Sequence, residues 1–441
     1  MIKIPSKRKR GVIISGQGWQ RLQQAKRKME MQGNAGESYT LEELSKITRL
    51  SSNTITKVQR RKFPVDKQTL ESFFKSFNLT LIDSDYAEAI DAPPPVNRER
   101  IVLGGQIPLD SLLYVERPPV ESLCYEAIVQ PGALIRIKAP KQMGKTSLMA
   151  RVLQQAREQN IRTVTLSFQL ADTQVFLKLD RFLRWLCAIA SSQLGLPKRI
   201  SESWDNIFGS NYNATYYFEN YLLREMDSDL VLALDEVDEV FHYPEITADF
   251  LGLLRAWHEK SRYGDGGSVL WQKLRIIIVH STEVCVSLPV NQSPFNVGLS
   301  VELPEFTLEQ VQDLSERHGL KWKVDEVERL MALVSGNPYL TQLALYHLSN
   351  EEITLDELLK TAIAEDGIYG SHLQQQLWRL RRYPELLADL QRVVLSPSPL
   401  EVEPIQALKL QSLGVVRVQN QRVSPRCELY ARYFKLALAI T

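Results

Sequence analysis

Cysteine is scarce in this 441-residue chain. The four that occur, Cys124, Cys187, Cys285 and Cys427, stand far apart. No pair has zinc-ligand spacing and no bridging framework can be drawn, so neither a zinc module nor a disulfide scaffold organises the fold; a reducing, cytoplasmic setting is expected. The six histidines are equally scattered, which argues against a metal cluster. No apolar run approaches the roughly 18 residues of a membrane span. The basic N-terminus is not followed by the apolar core of a secretory signal. No internal repeat or low-complexity tract stands out.

Net charge is also nearly absent, at +1, but the average hides an asymmetry. Residues 1–67 carry 16 Lys/Arg against 5 Asp/Glu, which leaves 37 basic and 47 acidic residues in the remainder. A basic head on an acidic body points to a polyanion for the head, or to the body itself as its partner.

What is present is a nucleotide-loop pattern. Ala139-Pro140-Lys141-Gln142-Met143-Gly144-Lys145-Thr146-Ser147 follows the apolar run Leu134–Ile137 and opens into Leu148-Met149-Ala150. That order reads strand, phosphate loop, helix, the context of a Walker A motif, with Ala139 in place of the first glycine. Backbone N–H groups at a helix N-terminus face phosphate oxygens, Lys145 adds a charge on the terminal phosphates, and Thr146 offers a hydroxyl to Mg²⁺. About ninety residues on, Asp229–Leu234 reads as a strand buried on both faces that ends in Asp235-Glu236. Asp235 suits Mg²⁺, and Glu236 suits the orientation of an attacking water. A third strand, Leu274–Val279, ends in His280-Ser281-Thr282-Glu283, where Ser281 and Thr282 are candidates to sense the terminal phosphate. An acidic, solvated turn explains the second signal less well, because it accompanies the first.

The spacing divides the chain into a head (1–82), a Pro-rich linker (83–100), a P-loop ATPase core (101–305), a helical lid (306–382) and a winged helix (383–441). In the head, residues 1–10 read as a basic arm and 18–31 as a helix with Trp19, Leu22, Ala25 and Met29 on one face. Thr40 and Glu43 form a capping box for a helix near Leu41. A tight turn through Arg49 leads to a second helix, Asn53 to Arg61, and Asp66 caps a third. This is helix-turn-helix spacing. Asn53, Thr54, Thr56, Lys57, Arg60, Arg61 and Lys62 then form the candidate nucleic-acid face, able to read base edges and hold phosphates. In the core, Thr163–Phe168 is a further strand, and alternating strands and helices imply a parallel sheet covered on both faces. The lid holds helical stretches at 307–318, 324–335, 338–348 and 355–365. Its Gly336-Asn337-Pro338 turn either packs proline on an adenine or marks a helix stop and restart. Helices near 384–393 and 404–412, a hairpin over 415–423 and a final helix from about Pro425 read as the winged helix.

The segments Tyr114-Val115-Glu116-Arg117-Pro118-Pro119-Val120-Glu121, Ile135–Pro140, Leu234–Asp238, His280–Glu283, Ser293–Gly298, Gly336–Leu340 and Pro425–Tyr430 together resemble the bacterial AAA-like domain family of P-loop ATPases. That family stands near the signalling STAND ATPases and the archaeal-type AAA+ ATPases. The resemblance covers about 101–440 and implies ATP binding by a core, lid and winged-helix module, with Mg²⁺ as cofactor. It makes Ala139 a family habit and, by analogy with a Gly-Arg-Glu motif, brings Glu116 and Arg117 near the nucleotide. The first 82 residues resemble the helix-turn-helix module of conflict-type bacterial signalling proteins.

The reading is an ATP-dependent switch whose head binds DNA, RNA or a signalling partner, with an effector supplied by another chain. One alternative is a DNA-remodelling ATPase, an initiator or transposition helper that assembles as a homo-oligomer and needs an arginine finger; Arg255, Arg224 and Arg275 are candidates. Another is a scaffold that holds ATP without turnover.

Overall fold

The computed structural model describes residues 11–33, 39–50, 54, 55, 58, 65–88, 105–262, 266–281 and 294–439. These fall into two compact units, Met1–Ile101 and Val102–Thr441.

The first unit is helical and closed by short strands. Val12–Ile14 (β1) pairs antiparallel with Tyr86–Glu88 (β2), and Val12 also bridges to Val65. Asp83 to Glu88, which the sequence reading assigns to a linker, is therefore part of the head. Asp85 is buried there, paired with Arg21. The helix Gly16–Gly33 packs Leu22 against Leu44, Ile55, Val58, Leu70, Phe73 and Phe74, with Trp19, Ala25 and Met29 at its margin. The helix Leu41–Thr48 starts at Thr40 with both capping-box bonds made, Glu43 N to Thr40 Oγ1 at 3.3 Å and Thr40 N to Glu43 Oε2 at 2.8 Å. Arg49 ends it in the left-handed region, at φ 56°. Thr54, Ile55 and Val58 are helical. Asp66 stands at the N-cap of Lys67–Lys75 but makes no side-chain cap bond, contrary to expectation. Asn53, Thr56, Lys57, Arg60, Arg61 and Lys62 lie outside the described residues.

The second unit is built on a parallel sheet of Leu134–Lys138 (β3), Arg162–Ser167 (β4), Leu230–Asp235 (β5), Leu274–His280 (β6) and Leu299–Glu302 (β7). The spatial order is β4-β5-β6-β3-β7, all parallel. β5 and β6 are buried along their whole length, as strands covered on both faces must be. The order inserts β6 between β5 and β3, and the registers Leu234↔Ile278 and Ile137↔Val279 bring their C-terminal ends to one edge. A loop after β3 thus faces the carboxylates after β5 across the end of β6. In an open parallel sheet this edge is where ligands bind.

The lid follows. Thr307 caps Leu308–Arg317 with a full capping box, and helices Val324–Val334, Pro338–Ser349 and Leu355–Thr361 succeed it. Helices Gly370–Arg381, Pro384–Leu395 and Pro404–Ser412 lead to Val416–Gln419 (β9) and Arg422–Pro425 (β10), which join Leu400–Glu401 (β8) in the order β8-β10-β9. The closing helix is Glu428–Ala439. Lid and winged helix share one apolar core, with Val334, Leu345, Tyr369, Leu390, Leu429 and Phe434 in a single cluster. No helix among the described residues is long and apolar enough to cross a membrane.

Candidate functional site

The loop after β3 turns on two left-handed residues, Gln142 (φ 65°) and Gly144 (φ 90°). Gly144 is also pressed from outside: a Cβ there would stand 3.3 Å from Arg117 Nη2. Ala139 is not among the left-handed positions, and its methyl is fully buried in the core around Ile137 and Met149. The missing first glycine therefore costs the loop no backbone strain. The helix Lys145–Glu158 begins directly on Gly144, so its first N–H groups point into the loop.

Lys145 Nζ donates to the carbonyls of Ala139 and Pro140, both at 2.9 Å. Burial pushes its pKa down to about 8, against the opposing pull of Asp238, Asp235 and Glu236. Thr146 Oγ1 donates to Asp235 Oδ2 at 2.9 Å, and Asp235 Oδ1 accepts from Glu236 N at 2.9 Å. The Asp235 pKa is nevertheless raised, because burial outweighs these bonds. A hydroxyl and a carboxylate in contact at the foot of a phosphate loop suit a hard divalent cation. Among the described residues no group of three His, Cys, Asp or Glu gathers, so a hard cation here would draw its other ligands from water and phosphate oxygens. The donor set fits MgATP.

Glu236 sits in the left-handed region (φ 58°), which turns its side chain towards β4. Its Oε2 accepts from Ser167 Oγ at 2.9 Å and its Oε1 from Gln169 Nε2. Burial raises its pKa as well. Gln169 is a residue the sequence reading missed; it lies two positions past β4, where no motif marks it. Asp238, also missed, receives the Ser281 N–H on both oxygens, at 2.8 and 2.7 Å, and so fixes the end of β6. Thr282 lies outside the described residues.

Arg117 is buried, and its Nη1 donates to Met143 O at 2.7 Å, while its Nε has no partner. The segment before it is braced by Glu121, which accepts from Arg117 N and Tyr114 Oη, both at 2.8 Å. Glu116 offers its carbonyl to Gln310 Nε2 of the lid at 2.8 Å. The Arg117 guanidinium lies 5.6 Å from the Phe306 ring. Phe306 in turn explains Gly336: a Cβ there would stand 2.1 Å from Phe306 O, and Phe306 N donates to Gly336 O at 2.8 Å. Asn337 caps the next helix through Leu340 N, and Pro338 begins it, buried. Turn geometry thus accounts for Gly336 and Pro338.

Three expected site residues are used elsewhere. Ser147 Oγ accepts from Ile107 N at 2.9 Å. Arg255 is ion-paired with Glu259 one turn along its own helix. Arg275 is 2% exposed and bound to the carbonyls of Ile128 and Val129 and to Asp229, which makes it a strut and no arginine finger. Arg224 is exposed, before the start of β5 and so at the opposite edge of the sheet from the loop.

The winged helix seats on the loop itself. Arg426 Nη2 lies 3.7 Å from Met143 Sδ, and its Nε lies 3.0 Å from Glu305 Oε1 at the junction of core and lid. Arg417 Nη2 meets the same oxygen at 2.9 Å. A Cβ on Gly414 would stand 3.2 Å from Pro140 Cβ.

The family model described as AAA-like domain matches residues 102–436. A curated WD repeat-containing protein of Synechocystis sp., described as uncharacterized, is 25% identical over 254 residues; the match covers 54% of this chain and 20% of that protein. The chain thus spans about a fifth of the length of the curated relative it matches. Among solved structures, the Walker-type ATPase of Pyrococcus abyssi superposes with a TM-score of 0.52 at 14% identity, over 73% of this chain and 96% of that one, and shares the fold. The STAND protein with a tetratricopeptide repeat sensor from Pyrococcus horikoshii gives a TM-score of 0.34 at 16% identity, over 76% of this chain and 44% of that one.

Proposed function

Because the chain belongs to the AAA-like domain family, we propose that it is an ATP-dependent molecular switch, in which nucleotide state at the loop sets the position of the winged helix and the availability of the basic head to nucleic acid. The observation that carries this reading is the seat of Arg426 and Gly414 on Met143 and Pro140. A loop that changes shape on binding phosphate cannot leave that contact unchanged.

Lys145 exchanges the Ala139 and Pro140 carbonyls for phosphate oxygens, a stronger, charge-assisted pairing. Thr146 and Asp235 hold the metal. Bound MgATP supplies a terminal phosphoryl group whose loss changes the charge beside the loop. Glu236, once released from Ser167 and Gln169, orients water for that hydrolysis. The 283 residues separating Met143 from Arg426 make their contact a report from one module to another. The direction of the switch follows from γ-phosphate loss releasing ordered segments, as in other P-loop proteins.

The test compares two trapped states of the full chain. Glu236→Gln with ATP and wild type with ADP are titrated with duplex DNA at several salt concentrations. The switch reading expects different affinities, with a salt slope that Lys57→Ala or Arg60→Ala flattens by roughly one per lost phosphate contact. Equal affinities in the two states would sink it.

A further inference from the structure

A second cleft lies on the ATPase core, between the helix Ser210–Tyr217 with its five-residue π continuation Phe218–Leu222 and the helix Pro244–Lys260. Its volume is about 520 Å³. One wall is aromatic, lined by Tyr212 and Tyr216, with Phe208 stacked on Tyr212 beyond the lining. Phe208, Tyr212 and Tyr216 are 48%, 53% and 43% exposed, and their rings stack in sequence at 4.5 and 6.4 Å. Large apolar side chains stacked on one another in solvent, beside a cleft, mark an interaction site.

The floor is made of small residues. Gly252 and Ala256 line the cleft, and Ala248 stands one turn before Gly252. A Cβ on Gly252 would meet nothing within 4 Å, so no packing inside the protein requires glycine there. Glycine within a helix weakens it. Its effect here is to leave room for something outside. A small-residue floor beside an aromatic wall admits a helix at close approach.

The charge beside the cleft that has no ion-pair partner among the described residues is acidic. Residues 200–223 contain no Lys or Arg. Lys260 at one end is paired with Glu219 at 3.2 Å. Glu245 and Asp249 are exposed on the floor helix and form no ion pair among the described residues. Asn211, which lines the cleft, donates Nδ2 to Asp249 O at 3.0 Å and leaves Oδ1 buried without a donor. Exposed, unpaired carboxylates along the floor helix call for a ligand that brings positive charge.

We propose that this cleft is the docking groove for a basic amphipathic helix of a partner protein, its apolar stripe on Gly252 and Tyr216 and its cations over Glu245 and Asp249. The site is separate from the nucleotide loop.

The test uses the full chain and two fluorescein-labelled 18-residue peptides with the same Leu/Ala stripe, one carrying Lys on its polar face and the other Glu. Anisotropy should show binding of the Lys peptide only. Gly252→Leu, which fills the floor with a better helix former, and Tyr216→Ser should each weaken it by about tenfold or more. Unchanged ATP titration in both variants reports an intact core. Equal binding by the Glu peptide, no binding by the Lys peptide, or full binding by Gly252→Leu overturns the proposal. A dimer in sedimentation velocity that Gly252→Leu dissolves would make the occupant a second copy, and overturns it too.

Discussion

Glu305 Oε1 forms an ion pair with Arg426, 3.0 Å from its Nε, while the same guanidinium rests on Met143 of the nucleotide loop. Glu305 belongs to the short connection between β7 and the lid, so core, lid and winged helix meet at one carboxylate. Arg426 is 8% exposed, and replacing it by alanine leaves Glu305 with Arg417 alone. Removing one partner of a buried ion pair costs up to about 3–5 kcal/mol, less where the other charge keeps a second partner. Arg426→Ala should therefore release the winged helix and speed dissociation of a fluorescent ADP by roughly tenfold, measured by stopped flow. Arg417→Ala, whose partner keeps Arg426, should do so less. Identical release rates in wild type and Arg426→Ala would remove the contact from the proposed switch.

A second prediction concerns Glu236. Both carboxylate oxygens are engaged, by Ser167 and by Gln169. A carboxylate so held is not turned to a water at the loop. Gln169→Ala should free it and raise basal ATP hydrolysis several-fold, whereas Glu236→Gln should abolish turnover and leave ATP binding intact. Phosphate release by the two variants is the measurement. Gln169→Ala that hydrolyses no faster than wild type would mean that the bond restrains nothing.

The two Walker elements were legible because each joins a periodicity to a fixed spacing. An apolar strand, a glycine at the turn and Lys-Thr at a helix start recur together for one physical purpose, and β5 ends on Asp235 as an unalternating run should. The Thr40 capping box was legible for the same reason, since its two bonds need only a three-residue interval. Gln169 and Asp238 were not, because their partners are 67 and 43 residues away and no local pattern announces the pairing. Nor was Arg426, whose contact with Met143 exists only after three modules have folded. The strands β1 and β2 escaped because three residues carry too little alternation to read.

Arg49 supplies a prediction about stability. It takes the left-handed conformation at the C-terminal end of the helix Leu41–Thr48, where glycine is the usual residue. A side chain there costs roughly 1–2 kcal/mol in backbone energy, part of which glycine returns through its greater freedom when unfolded. Arg49→Gly should stabilise the head by about 0.5–1 kcal/mol. The first thermal transition of the full chain, assigned to the head by hydrogen exchange, should move upward. A downward shift would show that the arginine side chain contributes more than its backbone costs.

The last prediction follows from Lys145. Its pKa is pushed down to about 8, chiefly by burial, from the ordinary 10.5. Below pH 8 the ammonium is present before nucleotide arrives; above pH 8 the free protein holds a neutral amine. Phosphate oxygens favour the charged form, so binding above pH 8 requires proton uptake. Nucleotide affinity should be flat between about pH 7 and 7.5 and then fall as pH rises through 8, by up to tenfold per pH unit until the pKa of the complex is passed. The same linkage acts on folding with opposite sense. Between pH 8 and 10.5 the unfolded chain binds the proton that the folded chain lacks, so this residue's contribution to stability rises with pH over that window. Lys145→Ala should weaken ATP binding by about 1.5–3 kcal/mol at pH 7.5. It should also erase the pH dependence above 8. Fluorescent-ATP titrations of both proteins from pH 7 to 9.5 measure the two effects together. A pH slope that survives in Lys145→Ala would assign the titration to another group, and an unchanged affinity at pH 7.5 would remove Lys145 from the phosphate site.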